Sequence, residues 1–239
     1  MIAGKKLSDD GVEQEVSIQA GRVRLEGTLG LPKGARAVVL FAHGSGSSRH
    51  SPRNRYVARA LREAGLGTML FDLLTAGEES VDEASGELRF DIPFLAKRLA
   101  DATRWLIQQP DMEGARLGYF GASTGAAAAL VAAAELRDKV SAVVSRGGRP
   151  DLAGDALPRV SAPTLLIVGG EDEPVIGMNR RALAELGSEV KRMVIVPRAT
   201  HLFEEPGTLE EVARLAAEWF RRYLASAAKA AAHTPAQAR

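Results

Sequence analysis

Cysteine is absent from the 239 residues of the chain. That absence excludes disulfides, thiolate metal sites and a cysteine nucleophile, so any nucleophile must be another residue type. An excess of charge of one sign is missing too. The 31 basic and 30 acidic side chains leave a formal net charge of +1 and are spread along the sequence. No broad field therefore draws the chain to nucleic acid or an anionic membrane, and small neutral or mildly charged partners stay open. No window approaches the roughly 20 continuous apolar residues that a bilayer span needs. Even the Ala-rich run 126–134 is short and is followed by Glu135 and Arg137. Residues 1–10 carry Lys5, Lys6, Asp9 and Asp10 without the apolar stretch of a secretory signal, which sets the expectation of a cytoplasmic protein. Internal repeats and a Pro/Gly-rich linker are lacking as well.

What is present is a composition, 46% hydrophobic and 26% charged, suited to one sizeable core. The expectation is a single domain over 1–224 with an Ala-rich tail over 225–239. Residues 16–31 alternate around Gly21 and end at Pro32, which predicts an opening antiparallel hairpin. Short apolar runs follow at 37–42, 66–71, 117–120, 142–144, 164–168 and 193–196. They mostly do not alternate, as expected for strands buried on both faces. Helical patterns lie between most of them. Ser51 is a plausible N-cap with Pro52 at the first helical position, and Tyr56, Val57, Ala60 and Leu61 share a face. Further helices are predicted at 92–108, 124–136, 178–186 and 209–224, the last opened by a capping box of Thr208 with Glu211. The acidic stretch 78–87 reads as a solvated loop, or else as rim of the site. Alternation of this kind after a hairpin predicts a mostly parallel sheet covered by helices on both faces, with functional residues at the strand C-termini.

Gly121-Ala122-Ser123-Thr124-Gly125 is the only G-x-S-x-G in the sequence, and it falls where a predicted strand meets a predicted helix. A nucleophile on so tight a turn needs strained dihedrals, and glycines two residues either side remove the crowding that a Cβ would bring. The helix starting at Thr124 directs unpaired N–H groups and its positive end toward negative charge developing beside Ser123. The plain alternative is an ordinary serine cap in a Gly-bounded turn.

A serine hydroxyl needs a general base and a group that fixes the tautomer of that base. Of four histidines, His233 lies in the tail, His43 closes a strand in a Gly/Ser loop and His50 precedes a helix. His201 follows the last strand, where a loop can bring its ring to Ser123. Strand 164–168 ends in Gly169-Gly170-Glu171-Asp172-Glu173-Pro174, which places an acid between nucleophile and base in chain order. Asp172 is the candidate, with Glu171 and Glu173 as competitors. His43-Gly44-Ser45-Gly46-Ser47-Ser48 lets backbone approach a ligand, and the N–H groups of Ser45 and Thr124 are the expected oxyanion donors. Gly44 and Arg146 are candidate substrate contacts. Arg149 follows the same strand end as Arg146, and either could hold a substrate carboxylate; a surface or structural role is the competing reading. A phosphate loop is the rival for residues 43–48, but neither G-x-x-x-x-G-K-[ST] nor G-x-G-x-x-G occurs.

With these residues in place, over about 16–224, the chain resembles the α/β-hydrolase superfamily, and its small size is similar to the dienelactone hydrolase-like branch. The marks are residues 43–47, the 121–125 motif, Asp172 and His201. The resemblance implies a three-layer sandwich, a mostly parallel sheet with an antiparallel N-terminal hairpin, and a Ser-Asp-His hydrolase. Dienelactone hydrolases use a cysteine nucleophile where this chain has Ser123, so their particular substrate does not carry over and a broader esterase is expected. The interval 144–164 is too short for the helical cap of many relatives, so the expectation is no cap domain and an open cleft for short-chain or water-soluble esters. No cofactor or metal is required by that chemistry. The expected partner is a small-molecule ester, and the expected assembly a monomer or homodimer. An acyltransferase using the same acyl-enzyme, and a non-catalytic small-molecule receptor on the same fold, are the competing functions.

Overall fold

The structure is a computed structural model that describes residues 13–224. The tail at 225–239, and with it the predicted domain boundary, lies outside the described residues.

The hairpin forms as predicted. β1 (Gln14–Ala20) and β2 (Val23–Gly30) pair antiparallel about a turn at Gly21, whose φ of 61° suits glycine. β1 alternates exposed and buried residues, because only one face of this hairpin is covered. The remaining strands are β3 (Ala37–Ala42), β4 (Gly67–Phe71), β5 (Arg116–Ala122), β6 (Val140–Arg146), β7 (Thr164–Gly169) and β8 (Lys191–Val196). The sheet runs β1-β2-β4-β3-β5-β6-β7-β8, antiparallel at β1/β2 and β2/β4 and parallel elsewhere. β3, β4 and β7 are buried along their whole length, which their unbroken apolar runs anticipate. β8 is the exposed parallel edge.

Six α-helices complete the layers among the described residues. α1 (Pro52–Glu63) and α6 (Thr208–Tyr223) cover one face; α3 (Ile92–Ile107), α4 (Thr124–Glu135) and α5 (Glu173–Glu185) pack on the other. α2 (Ala76–Ser85) follows β4. The α1 cap is the predicted one, with Ser51 Oγ accepting the Asn54 amide at 3.4 Å. This is the three-layer sandwich expected from the resemblance. In the interval 144–164 there is only a 3₁₀ stretch, Pro150–Arg159, interrupted at Gly154, so no cap domain is inserted there.

Several local expectations are corrected. The acidic stretch 78–87 is largely helix rather than loop. Thr75 and Glu78 form a capping box, Gly86 closes the helix in the left-handed conformation, and Asp82 is its one buried residue. An apolar stripe is what a sequence reading looks for, and α2 lacks one. At α6 the capping box of Thr208 with Glu211 does not form. Gly207 occupies the cap, the Thr208 hydroxyl donates to Glu205 O at 2.7 Å, and Glu211 pairs with Arg214. α5 starts five residues before the predicted 178 because Pro174 sits in its first turn, where proline is tolerated. β5 and β6 outrun the predicted 117–120 and 142–144. Ladder pairing of Gly121 with Ser145 and Ala122 with Arg146 holds small and polar residues extended.

Candidate active site

β5 delivers Ser123 to the C-terminal edge of the sheet. Its backbone has φ 51° and ψ −123°, a conformation that costs a non-glycine residue about 1–3 kcal/mol and that the surroundings must hold. They hold it from both sides: the Ser123 amide donates to Arg146 O at 3.3 Å, and Ser123 O accepts from Ala126 and Arg149 at 3.1 and 3.0 Å. The flanking glycines are required by contact. A Cβ at Gly121 would lie 2.4 Å from Ala126 Cα, and one at Gly125 2.2 Å from Ala42 O. Gly44 is as tightly placed, since a Cβ there would meet Ser123 Cβ at 2.9 Å.

His201 and Asp172 meet through two interlocked turns. After β7, Gly170 N donates to Val196 O at 2.8 Å and Glu171 N to Ala199 O at 2.9 Å, which ties the β7 end to the loop after β8. That loop is braced by Glu205, which accepts the Thr200 hydroxyl at 2.6 Å and the Thr200 amide at 3.0 Å. These bonds hold the Glu205 carboxyl below its usual pKa, the Thr200 hydroxyl contributing most. The result is His201 Nδ1 at 2.7 Å from Asp172 Oδ2. A carboxylate accepts only, so Nδ1 carries the proton and Nε2 is left as the acceptor. Asp172 is the carboxylate that reaches His201; Glu171 and Glu173, its competitors in sequence, are not hydrogen-bonded to the ring. Gly147 lies between the strand edge and His201, with a position for Cβ 3.7 Å from His201 Cε1. The Ser123 hydroxyl itself has no hydrogen-bond partner among the described residues, His201 included. Such contacts often tighten only when substrate is bound.

The expected oxyanion residues are adjacent. Ser45 N donates to Thr124 Oγ1 at 3.0 Å, the two hydroxyls lie 2.9 Å apart, and Ser45 Oγ donates to Arg89 O at 3.1 Å. In the resting site the Ser45 amide is therefore held by the Thr124 hydroxyl. A cavity of about 260 Å³ opens on this side, bounded by Gly44, Ser45, Leu73, Leu95 and Thr124 and by Glu79, Asp82 and Glu83 of α2. Of the two arginines at the C-terminal end of β6 and just after it, Arg149 is spent on a two-pronged pair with Asp151. Arg146 is buried. Among the described residues no group of three His, Asp or Glu side chains is arranged to hold a metal ion.

Sequence reading missed two elements of this wall. His43 is structural: Leu73 N donates to its Nε2 at 3.0 Å, which puts the proton on Nδ1, 3.0 Å from Gly44 O. Burial is the chief reason that its pKa falls below the usual histidine value. Asp82 gathers the segment after α2, accepting from Leu88 N and Arg89 Nε at 2.6 Å each. Burial opposes its ionisation, but the Arg89 and amide hydrogen bonds outweigh burial and lower its pKa. His43 could have been suspected from its place between strand and Gly/Ser loop; nothing in the linear sequence marks Asp82.

A strained serine between β5 and α4, at the C-terminal edge of a mostly parallel sheet and in a G-x-S-x-G turn, defines the α/β-hydrolase class. The sequence pattern of the dienelactone hydrolase family matches residues 25–233, and the chain belongs to that family. It is similar to the crystal structure of a dienelactone hydrolase from Anabaena variabilis, with 62% identity and a TM-score of 0.88 over 90% of this chain and 99% of that one. It is also 58% identical, over 212 residues, to a Mycobacterium tuberculosis protein bearing the name "Putative phosphoribosyl transferase". That match takes 89% of this chain but 47% of the other, so the chain spans about half the length of that relative. Est1E from Butyrivibrio proteoclasticus shares the fold at a TM-score of 0.74 and 15% identity, covering 89% of this chain and 99% of that one. Family and fold together place the chain among the dienelactone hydrolase-like α/β-hydrolase proteins.

Proposed function

We propose that the protein hydrolyses carboxylic esters of short-chain or water-soluble acids through an acyl-enzyme on Ser123. The observation that carries this reading is the 2.7 Å contact of His201 Nδ1 with Asp172, which leaves Nε2 free to act as base at the same sheet edge as Ser123. His201 takes the Ser123 proton as the hydroxyl attacks the carbonyl carbon, while Asp172 steadies the imidazolium. The developing oxyanion is received by the N–H groups of Thr124 and Ser45; at Ser45 it replaces the Thr124 hydroxyl as acceptor. A well-aimed donor contributes about 3–4 kcal/mol in comparable sites. The tetrahedral intermediate then expels the alcohol, which leaves with the proton from His201. Water, deprotonated by the same ring, releases the acid and restores Ser123. The cavity beside Ser45 has room for a small acyl group, which supports short chains.

The test is Ser123→Ala against p-nitrophenyl acetate, beside labelling by a fluorophosphonate. The wild type turns over the ester and labels; the variant loses labelling and nearly all turnover. Equal turnover by the two proteins would remove Ser123 from the role.

A further inference from the structure

Arg146 ends β6 next to the nucleophile, its carbonyl accepting the Ser123 amide. Its side chain runs to the sheet face covered by α1, toward the first turn of that helix and the loop carrying His201. There Arg146 is buried, at 7% exposure, with Nε and Nη1 out of reach of solvent. Among the described residues its only hydrogen bond is from Nη2 to Asn54 Oδ1 at a limiting 3.5 Å, and Nε and Nη1 have no partner there. Among the described residues it makes no salt bridge. The charged side chain that acts on it is of the same sign. Among the described residues Arg53, in the first turn of α1, has a buried and unpartnered Nε of its own, and is answered only by Glu204 at 2.9 Å, an exposed carboxylate. Burial first, and then the Arg53 charge, push the Arg146 pKa down to about 10. Phe203 approaches the guanidinium at 6.0 Å from its ring centre, the outer limit for cation–π contact, and brings no counter-charge.

Burying a guanidinium with two nitrogens unpaired, beside a second cation, is expensive and is sustained where a ligand supplies the missing negative charge. The first turn of the twelve-residue α1 turns its positive end to the same place. We infer that Arg146, Arg53 and the first turn of α1 form a subsite for an oxyanion group, a carboxylate or a phosphate, carried on the alcohol part of the ester. The alcohol side follows from position and rests on the ester-hydrolase reading. Gly147, the next residue after Arg146, packs against His201, and His201 hands the proton to the departing alcohol. The acyl cavity lies on the other side, at Ser45. Planar guanidinium donors suit either oxyanion.

The experiment compares kcat/KM for 4-acetoxybenzoate with that for its methyl ester, with 4-acetoxyphenyl phosphate as the phosphate arm. Arg146→Gln is expected to lower the anionic-to-neutral ratio roughly ten- to hundredfold, as loss of a charged hydrogen-bond donor does. Whichever anion loses more identifies the preferred oxyanion. Arg53→Gln, at a partly exposed position, should lower the ratio severalfold and decides the matter if Arg146→Gln does not fold. A ratio equal to wild type in the folded variant overturns the subsite. If the wild type cleaves none of the esters, the hydrolase reading fails by itself, and thermal unfolding with 4-hydroxybenzoate reads the subsite instead. A rise in Tm that Arg53→Gln abolishes keeps the oxyanion site; no rise in the wild type removes it.

Discussion

Replacing Gly125 by alanine probes how the Ser123 turn is held. A Cβ built there lies 2.2 Å from Ala42 O, 2.5 Å from His43 O and 2.7 Å from Ala42 C. Ordinary contact needs about 3.5 Å, so the closest pair is about 1.3 Å too near. All three neighbours are backbone atoms, at the end of β3 and the start of the Gly/Ser loop, and no side chain can swing aside. The first turn of α4 must lift from β3 by about 1 Å, and Ser123, two residues away at the cap of that turn, moves with it. Overpacking of this kind costs about 1–3 kcal/mol in stability. Displacing a reacting group by about 1 Å costs on the order of 10²-fold in rate. Urea unfolding and kcat/KM on p-nitrophenyl acetate measure the two effects. Gly77→Ala in α2 is the control, because a Cβ there meets nothing within 4 Å; it should leave activity alone and stabilise by at most about 1 kcal/mol. If Gly125→Ala unfolds at the wild-type urea concentration and labels with fluorophosphonate at the wild-type rate, the contact of α4 with β3 is not what places Ser123.

Two further outcomes are expected. Asp172→Asn should lower kcat by about 10⁴-fold, since the ring loses the acceptor that keeps the proton on Nδ1; steady-state kinetics at pH 7 checks it, and a loss below tenfold would separate Asp172 from the base. His43 has a folded pKa below the ordinary 6.5, so the unfolded chain binds the extra proton, and stability held above that pH declines as pH falls from 6.5 toward the folded value. The slope is up to about 1.4 kcal/mol per pH unit for one proton. Asp72 and Glu79 face the ring and moderate the shift without reversing it. His43→Gln, which keeps an acceptor for Leu73 N–H, should flatten that part of the urea-midpoint profile relative to wild type; parallel profiles would refute it.

Much of the fold was legible because its signals are local. The hairpin around Gly21, the buried runs of β3, β4 and β7, and the Ser51-Pro52 start of α1 each depend on residues close in the chain. The G-x-S-x-G motif likewise carries its own explanation, a turn too tight for a Cβ. What was misread was decided at a distance. α2 is fastened by the polar reach of Asp82 to residues 88 and 89 rather than by an apolar stripe. The Thr208 box gives way because the Thr208 hydroxyl is satisfied by Glu205.

Sequence alone determined the order of elements, the strained serine turn and a short set of candidate bases and acids, because hydrophobic period and glycine placement act within a few residues. It could not choose among Glu171, Asp172 and Glu173, which share one turn; the clamp of residues 170 and 171 onto the loop after β8 makes that choice by aiming Asp172 at His201. Nor could it separate Arg149, answered two residues later by Asp151, from Arg146, whose side chain is carried by the sheet into a buried place without a paired carboxylate among the described residues. Partners and solvent exposure belong to the packed chain, since strands distant in sequence supply them only once the layers close.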